Sequence, residues 1–360
     1  MNSAPTTTTL NTGDKMPLVG LGSWKSEPER VGDAVKVAID NGYRHIDCAA
    51  AYGNEAAIGA GLEERIGATV KREEMFICSK LWNTKHAAKD VRPAFEQSLK
   101  DLHLDYLDLY LMHWPYSFAD VGPIVPRYDD GTVMYTDVHY METWAEMEKL
   151  VDEGLCKAIG LSNFNSKQIS DIMRRGKIAP ANLQVECHPY LNQKNLIQFC
   201  KERKIAVTAH SCLGSRHRTW HRPGDPDMLS EENVVQIAEK HGRTPAQVMI
   251  RFQTQRGVAA IPKSVTPSRI IENIKVFDLT SIKATSIFLN RTLKGECMSP
   301  LKEIPRTTLW YVIITWNSIP STNLSDRKET NLSFEVPHTS VLTPKPCQTA
   351  WFCVQPVHIA

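Results

Sequence analysis

Over the first 280 residues, short apolar runs alternate with longer amphipathic stretches, and the alternation repeats eight times. The runs are LVGLGSW (18–24), HIDCA (45–49), MFICSKLW (75–82), YLDLYLMHW (106–114), KAIGLSNF (157–164), NLQVECHPY (182–190), AVTAHSCLGS (206–215) and VAAIPKSV (258–265). Runs this short and this apolar read as strands buried on both faces. The stretches between them read as helices. In the third, Val91, Phe95, Leu99 and Leu102 fall three or four apart on one face, as a core-facing helix requires. Met141, Trp144, Met147 and Val151 repeat the pattern in the fourth. Alternating strands and helices predict an α/β protein, and eight units predict a closed (β/α)₈ barrel. A doubly wound sheet usually has fewer strands and a G-x-G-x-x-G turn after the first, which is missing here. The opening TTTTLNTGDKMPLVG reads as a hairpin turning at Thr12-Gly13-Asp14, expected to plug the barrel floor.

The character of the chain changes after Thr280. Residues 281–360 hold seven prolines and eighteen Ser or Thr, with no useful helical period. One run, LWYVIITW (309–316), has strand propensity but no evident partner. The expected organisation is therefore a barrel over 1–280 and a poorly ordered tail over 281–360.

Composition changes this picture little. With 42% hydrophobic and 23% charged residues in 360, the chain has ample material for a core. A net charge of +2 points to neither nucleic acid nor an anionic membrane as partner. There is no apolar leader at the N-terminus and no run of about 18 apolar residues, so the expected location is the cytoplasm. Nine irregularly spaced cysteines then read as reduced thiols. No CxxC pair or His/Cys cluster suggests a metal site.

The chemistry of such a barrel sits where strands end and the following loops begin. The second strand ends in Asp47, with Tyr52 five residues on; the third ends in Lys80; the fourth ends in His113. A lone tyrosine after a strand is usually structural, a lone Asp–Lys pair usually a salt bridge, and a lone histidine before Trp-Pro usually core. Their convergence from three adjacent strands onto one mouth points to chemistry instead. A carbonyl that receives hydride needs a proton on its oxygen. A phenol can donate it if its conjugate base is stabilised, and a lysine ammonium nearby favours phenolate. An aspartate would keep the lysine charged and aimed, and a histidine would hold the substrate oxygen in line.

Other strand ends suggest a cofactor. Ser162, Asn163 and Gln184, after the fifth and sixth strands, suit hydrogen bonding to a carboxamide. IPKSVTPSRIIEN (261–273) follows the eighth strand and places Lys263, Ser264 and Arg269 around a helix start. That is the usual phosphate-binding place in barrels, and the cations favour a 2′-phosphate, hence NADPH/NADP+ over NADH. Trp24, Trp82, Trp114 and Phe118 lie just past strand ends and are expected, with His113, to line an apolar pocket for aromatic or medium-chain aldehydes.

The motifs GYRHIDCAAAYGNE (42–55), SKLW (79–82), LYLMHWP (109–115), GLSNFN (160–165) and IPKSVTPSR (261–269) together resemble the aldo-keto reductases, from about Thr9 to Thr280. Within that family, KLWNTKH (80–86), MHWPYSF (112–118) and QVECHPYL (184–191) are most similar to its aldehyde reductases. The resemblance implies an NADP-dependent oxidoreductase with Tyr52 as general acid and Asp47, Lys80 and His113 completing a tetrad. It also implies cofactor contacts from Ser23, Trp24, Asp47, His210, Ser211, Leu213, Ser215, Val265, Thr266, Glu272 and Asn273, and a monomer acting on small aldehydes or ketones. Two departures stand out. The family's AYSPLGS, whose tyrosine stacks on the nicotinamide, reads AHSCLGS here, so His210 replaces the tyrosine and weaker cofactor binding is expected. Residues 281–360 resemble neither the family's final helix nor its substrate-closing loop. This second departure leaves an alternative: a non-enzymatic barrel that still binds NADPH.

Overall fold

The computed structural model describes residues 5–279 apart from 217, 219–224 and 226. The expectations for 281–360 lie outside these residues.

Among the described residues, the strands are β1 (Thr7–Thr9), β2 (Lys15–Pro17), β3 (Leu21–Gly22), β4 (His45–Asp47), β5 (Phe76–Leu81), β6 (Leu109–Met112), β7 (Ser117–Phe118), β8 (Tyr135–Thr136), β9 (Ile159–Ser162), β10 (Asn182–Glu186), β11 (Ala206–His210) and β12 (Ala259–Ala260). The helices are α1 (Pro28–Asp40), α2 (Glu55–Glu63), α3 (Ala88–Leu102), α4 (Tyr140–Asp152), α5 (Ser166–Arg175), α6 (Lys194–Glu202), α7 (Glu232–His241), α8 (Pro245–Thr254) and α9 (Pro267–Asn273). Eight strands form one parallel sheet in the order β3-β4-β5-β6-β9-β10-β11-β12. Each of the eight apolar runs supplies one of them. Parallel bridges Val19–Ala260 and Gly22–Lys263 join the first strand to the last and close the cylinder. Glycine is required at that seam, because a Cβ at position 22 would come within 2.5 Å of the Ile261 carbonyl oxygen.

Side chains alternate in and out along each strand, and this alternation builds both core and site. On β5, Ile77 and Leu81 face outward into the large cluster with Val91, Phe95, Leu99 and Leu102 of α3, whereas Phe76 and Cys78 face inward. The inward residues pack as a floor layer with Leu10, Met16, Leu18, Leu109, Leu111 and Ala259. Leu10, Met16 and Leu18 come from the antiparallel β1–β2 hairpin and the residue after it. The hairpin turns through Gly13, whose φ is +96°, and closes the barrel bottom as its pattern predicts. One inward step above this floor on each strand stand Asp47, Lys80, His113, Ser162, Gln184 and His210.

Candidate active site

Lys80 and Asp47 are wholly buried at the top of the barrel interior. The Lys80 ammonium donates to Asp47 Oδ2 at 2.7 Å, to the Cys48 carbonyl at 2.8 Å and to Tyr52 Oη at 3.3 Å. The other Asp47 oxygen accepts from Gln184 Nε2 at 2.7 Å, and Ser23 Oγ donates to the Asp47 carbonyl at 2.7 Å. Burial pushes the Lys80 pKa down, but the Asp47 charge and the Tyr52 phenol outweigh it, so the amine is held protonated. Tyr52 sits in the short turn Ala50–Tyr52 that follows β4. Its ring meets His113 edge to face, 5.8 Å between centroids. The four residues of the predicted tetrad are thus brought together, as are Ser23, Gln184 and Asp47.

One expectation needs refinement. Lys80 does act to lower the Tyr52 pKa, but burial is the larger influence and the phenol is raised to about 12. In this site the phenol is therefore fully protonated at neutral pH, and its O–H is directed by Lys80, which already occupies an oxygen lone pair. Burial, reinforced by the Lys80 charge, pushes the His113 pKa well down. A neutral imidazole can orient an oxygen by hydrogen bonding but cannot supply the proton as a cation would.

On the far side of the mouth, Asn163 Nδ2 donates to the His113 carbonyl at 3.0 Å and to Ser162 Oγ at 3.1 Å. His210 Nε2 lies 3.2 Å from Asn163 Oδ1, and its Nδ1 lies 3.2 Å from Ser211 Oγ. Asn163, Ser211 and Ser215 all have positive φ, a conformation rare for residues with a Cβ. Leu213 is partly buried between two apolar clusters.

After β12, the Gly22–Lys263 bridge carries Lys263 to the β3 side of the mouth. Partial loss of solvent around its amine lowers the Lys263 pKa, with Glu27 opposing, although the side chain as a whole stays exposed. Lys263 and Arg269 are exposed, and neither forms an ion pair among the described residues. Ser264 Oγ accepts from the Thr266 amide at 3.1 Å. Val265 is partly buried, Asn273 is buried, and Glu272 accepts from Thr244 Oγ1 at the start of α8. α9 has seven residues, too few for a strong dipole, so the two cations carry the electrostatics here.

An apolar wall stands beside Tyr52 and His113. Trp82 meets His113 at 5.0 Å and Phe118 at 6.0 Å, both edge to face. With Val133 they form a cluster that takes in Ala51, Trp114, Tyr116 and Val125. Trp24 stands apart from it, after β3, with the Lys25 ammonium 5.2 Å from its ring. The antiparallel pair β7–β8 contributes Phe118 to the wall, and Trp82 Nε1 anchors the segment by donating to the Ile124 carbonyl at 2.7 Å. The sequence reading missed this excursion and its residues Tyr116, Val125 and Val133. The signal available was Asp129-Asp130-Gly131, a turn between two residue groups rich in aromatics and valine. Val121, Ile124, Tyr128 and Tyr135 are the exposed large apolar residues among those described, and all four lie on this excursion.

Comparison with known proteins agrees with the geometry. The profile described as Aldo/keto reductase family matches residues 18–287. Aldo-keto reductase family 1 member A1 of Bos taurus is 57% identical over 273 residues, covering 75% of this chain and 84% of that protein. The Homo sapiens protein of the same name is 58% identical over the same shares. Aldo-keto reductase family 1 member A1-A of Danio rerio is 57% identical over 274 residues, covering 76% of this chain and 85% of that protein.

Proposed function

Because the chain belongs to the aldo-keto reductase family, a family of oxidoreductases acting on carbonyl groups, we propose that it reduces aldehydes, and some ketones, to alcohols with NADPH, with Tyr52 as proton donor. One observation carries this reading: a single buried ammonium, Lys80, is bonded at once to Asp47 and to the Tyr52 oxygen. NADPH, when bound, supplies the hydride. Lys80 donates to a Tyr52 lone pair, leaving the phenol O–H free to point at a substrate oxygen. His113 holds that oxygen as a neutral donor. As the proton leaves Tyr52, the phenolate that forms faces an ammonium already in place, so no reorganisation is needed. Asp47 keeps Lys80 charged throughout.

The mouth fits the cofactor. Ser162, Asn163 and Gln184 offer amide and hydroxyl groups for a carboxamide, with Ser23, Trp24 and Asp47 beside them. His210, Ser211, Leu213 and Ser215 line the next loop. Lys263, Ser264, Val265, Thr266, Arg269, Glu272 and Asn273 form the far end, where two cations without an ion pair among the described residues suit a 2′-phosphate. Trp24, Trp82, His113, Trp114 and Phe118 bound the substrate space, whose apolar wall favours aromatic or medium-chain aldehydes. The functional unit is residues 1–280. It works as a monomer in the cytosol, without nucleic acid or membrane; no helix among the described residues is long and apolar enough to cross a membrane. The assembled tetrad leaves the non-enzymatic alternative without support. The test is NADPH absorbance with 4-nitrobenzaldehyde: consumption matched one for one by alcohol is expected, and faster than with NADH. Cofactor binding with no aldehyde-dependent oxidation would refute the reading.

A further inference from the structure

His210 stands at the end of β11, and its ring joins the residue that follows it to Asn163, just after β9. The amide nitrogen of Asn163 is turned away from it, toward the His113 carbonyl and Ser162 Oγ. Asn163 Oδ1 therefore faces His210 Nε2, at 3.2 Å, and an amide oxygen can only accept. The ring proton must then sit on Nε2. That leaves Nδ1 as an acceptor, and the Ser211 hydroxyl, 3.2 Å away, must donate to it. Burial lowers the His210 pKa to about 4, outweighing the Glu186 carboxylate, so the ring is neutral near pH 7.

Both residues that the ring holds are in the left-handed region, which asparagine tolerates and serine rarely adopts. Asn163 has φ +62° and Ser211 has φ +51°. Residues with a Cβ keep such conformations only where neighbours over-determine them. One imidazole supplies a bond to each. The chain of bonds continues through Asn163 to the backbone of His113, whose ring meets Tyr52. It thus runs from the β11 loop to the proton-donating side of the mouth.

From these contacts we infer that His210 is a positioning residue: by donating to Asn163 and accepting from Ser211, it holds both left-handed turns in the conformation that receives the nicotinamide end of the cofactor. The inference rests on the NADPH reading above. It assigns the function to the two hydrogen bonds of the ring and not to its flat face.

Two replacements separate these. His210→Gln keeps a donor and an acceptor without a ring; His210→Phe keeps a ring without either. Tryptophan fluorescence titration with NADPH should find His210→Gln within about threefold of wild type and His210→Phe weaker by about tenfold, the scale of one or two neutral hydrogen bonds. Phe binding as tightly as wild type, or Gln failing as badly as Phe, would overturn the inference. A second measurement needs neither variant nor cofactor: ¹⁵N shifts of the wild-type ring should show the proton on Nε2, and an Nδ1–H tautomer would overturn the relay outright. A wild-type protein that has the Nε2–H tautomer yet binds no NADPH would overturn the cofactor reading and the positioning role with it, while leaving the hydrogen-bond chain established.

Discussion

Lys80 has no exposed surface, yet it keeps its charge, because its three N–H groups donate to Asp47, the Cys48 carbonyl and Tyr52. A buried ion pair contributes little net stability; its value here is a cation fixed before the reaction starts. The opposite balance governs Glu55, at the start of α2 and outside the mouth. Its carboxyl is buried and accepts from Ser79 at 2.5 Å and Ser98 at 2.9 Å. Burial outweighs both bonds and raises its pKa from 4.5 to about 7. A raised carboxyl pKa means the fold prefers the protonated form. The penalty is absent below pH 4.5, grows as pH rises and is complete above about pH 7, where it amounts to about 3 kcal/mol. Glu55→Gln should therefore gain stability relative to wild type between pH 5 and pH 8. Urea unfolding at both pH values measures this, and a pH-independent difference would show that Glu55 titrates normally. Sequence reading passed over Glu55 because it looks like the last letter of a motif. Its burial comes from β5 and α3, elements distant in sequence.

At the scale of elements, the hairpin and the segment after β12 act at opposite ends of the barrel. The β1–β2 hairpin inserts fully buried Met16 into the floor, beneath the Asn182 amide, which lies 3.7 Å from its sulfur. Met16→Ala should destabilise the protein by about 2–5 kcal/mol through the cavity it leaves. NADPH affinity should not change, since the floor lies a full layer below the mouth. Loss of affinity without loss of stability would contradict this separation. The segment after β12 makes the reverse prediction. Arg269→Ala and Lys263→Ala should each weaken NADPH by roughly tenfold or more, while NADH changes far less, because charge-assisted contacts to a 2′-phosphate contribute about 1.5–3 kcal/mol each. Equal losses for both cofactors, measured by titration, would remove the phosphate role. These two elements differed in legibility. The hairpin announced itself by its turn and alternation. The β7–β8 pair did not, because its strands have two residues each, too few to show a period.

At the scale of the molecule, the eight strands were readable because a parallel strand covered on both faces has no polar side to break its apolar run. The same regularity made the site readable: Asp47, Lys80, His113, Ser162 and Gln184 lie at strand ends and share the inward parity, so their spacing placed them on one mouth, whereas His210 was found only through the family resemblance. What spacing could not supply was electrostatic balance. The expectation that Lys80 lowers the Tyr52 pKa identified one influence correctly, but burial, which depends on the closed cylinder, is larger. In the proposed reaction the partly buried Tyr52 phenol, directed by Lys80, is the proton donor. Single-turnover reduction of 4-nitrobenzaldehyde by the Tyr52→Phe protein at saturating NADPH tests it most directly. Unchanged NADPH affinity and a rate lower by about 10²–10⁴-fold are expected. A rate above about a tenth of wild type would mean that the proton comes from another group.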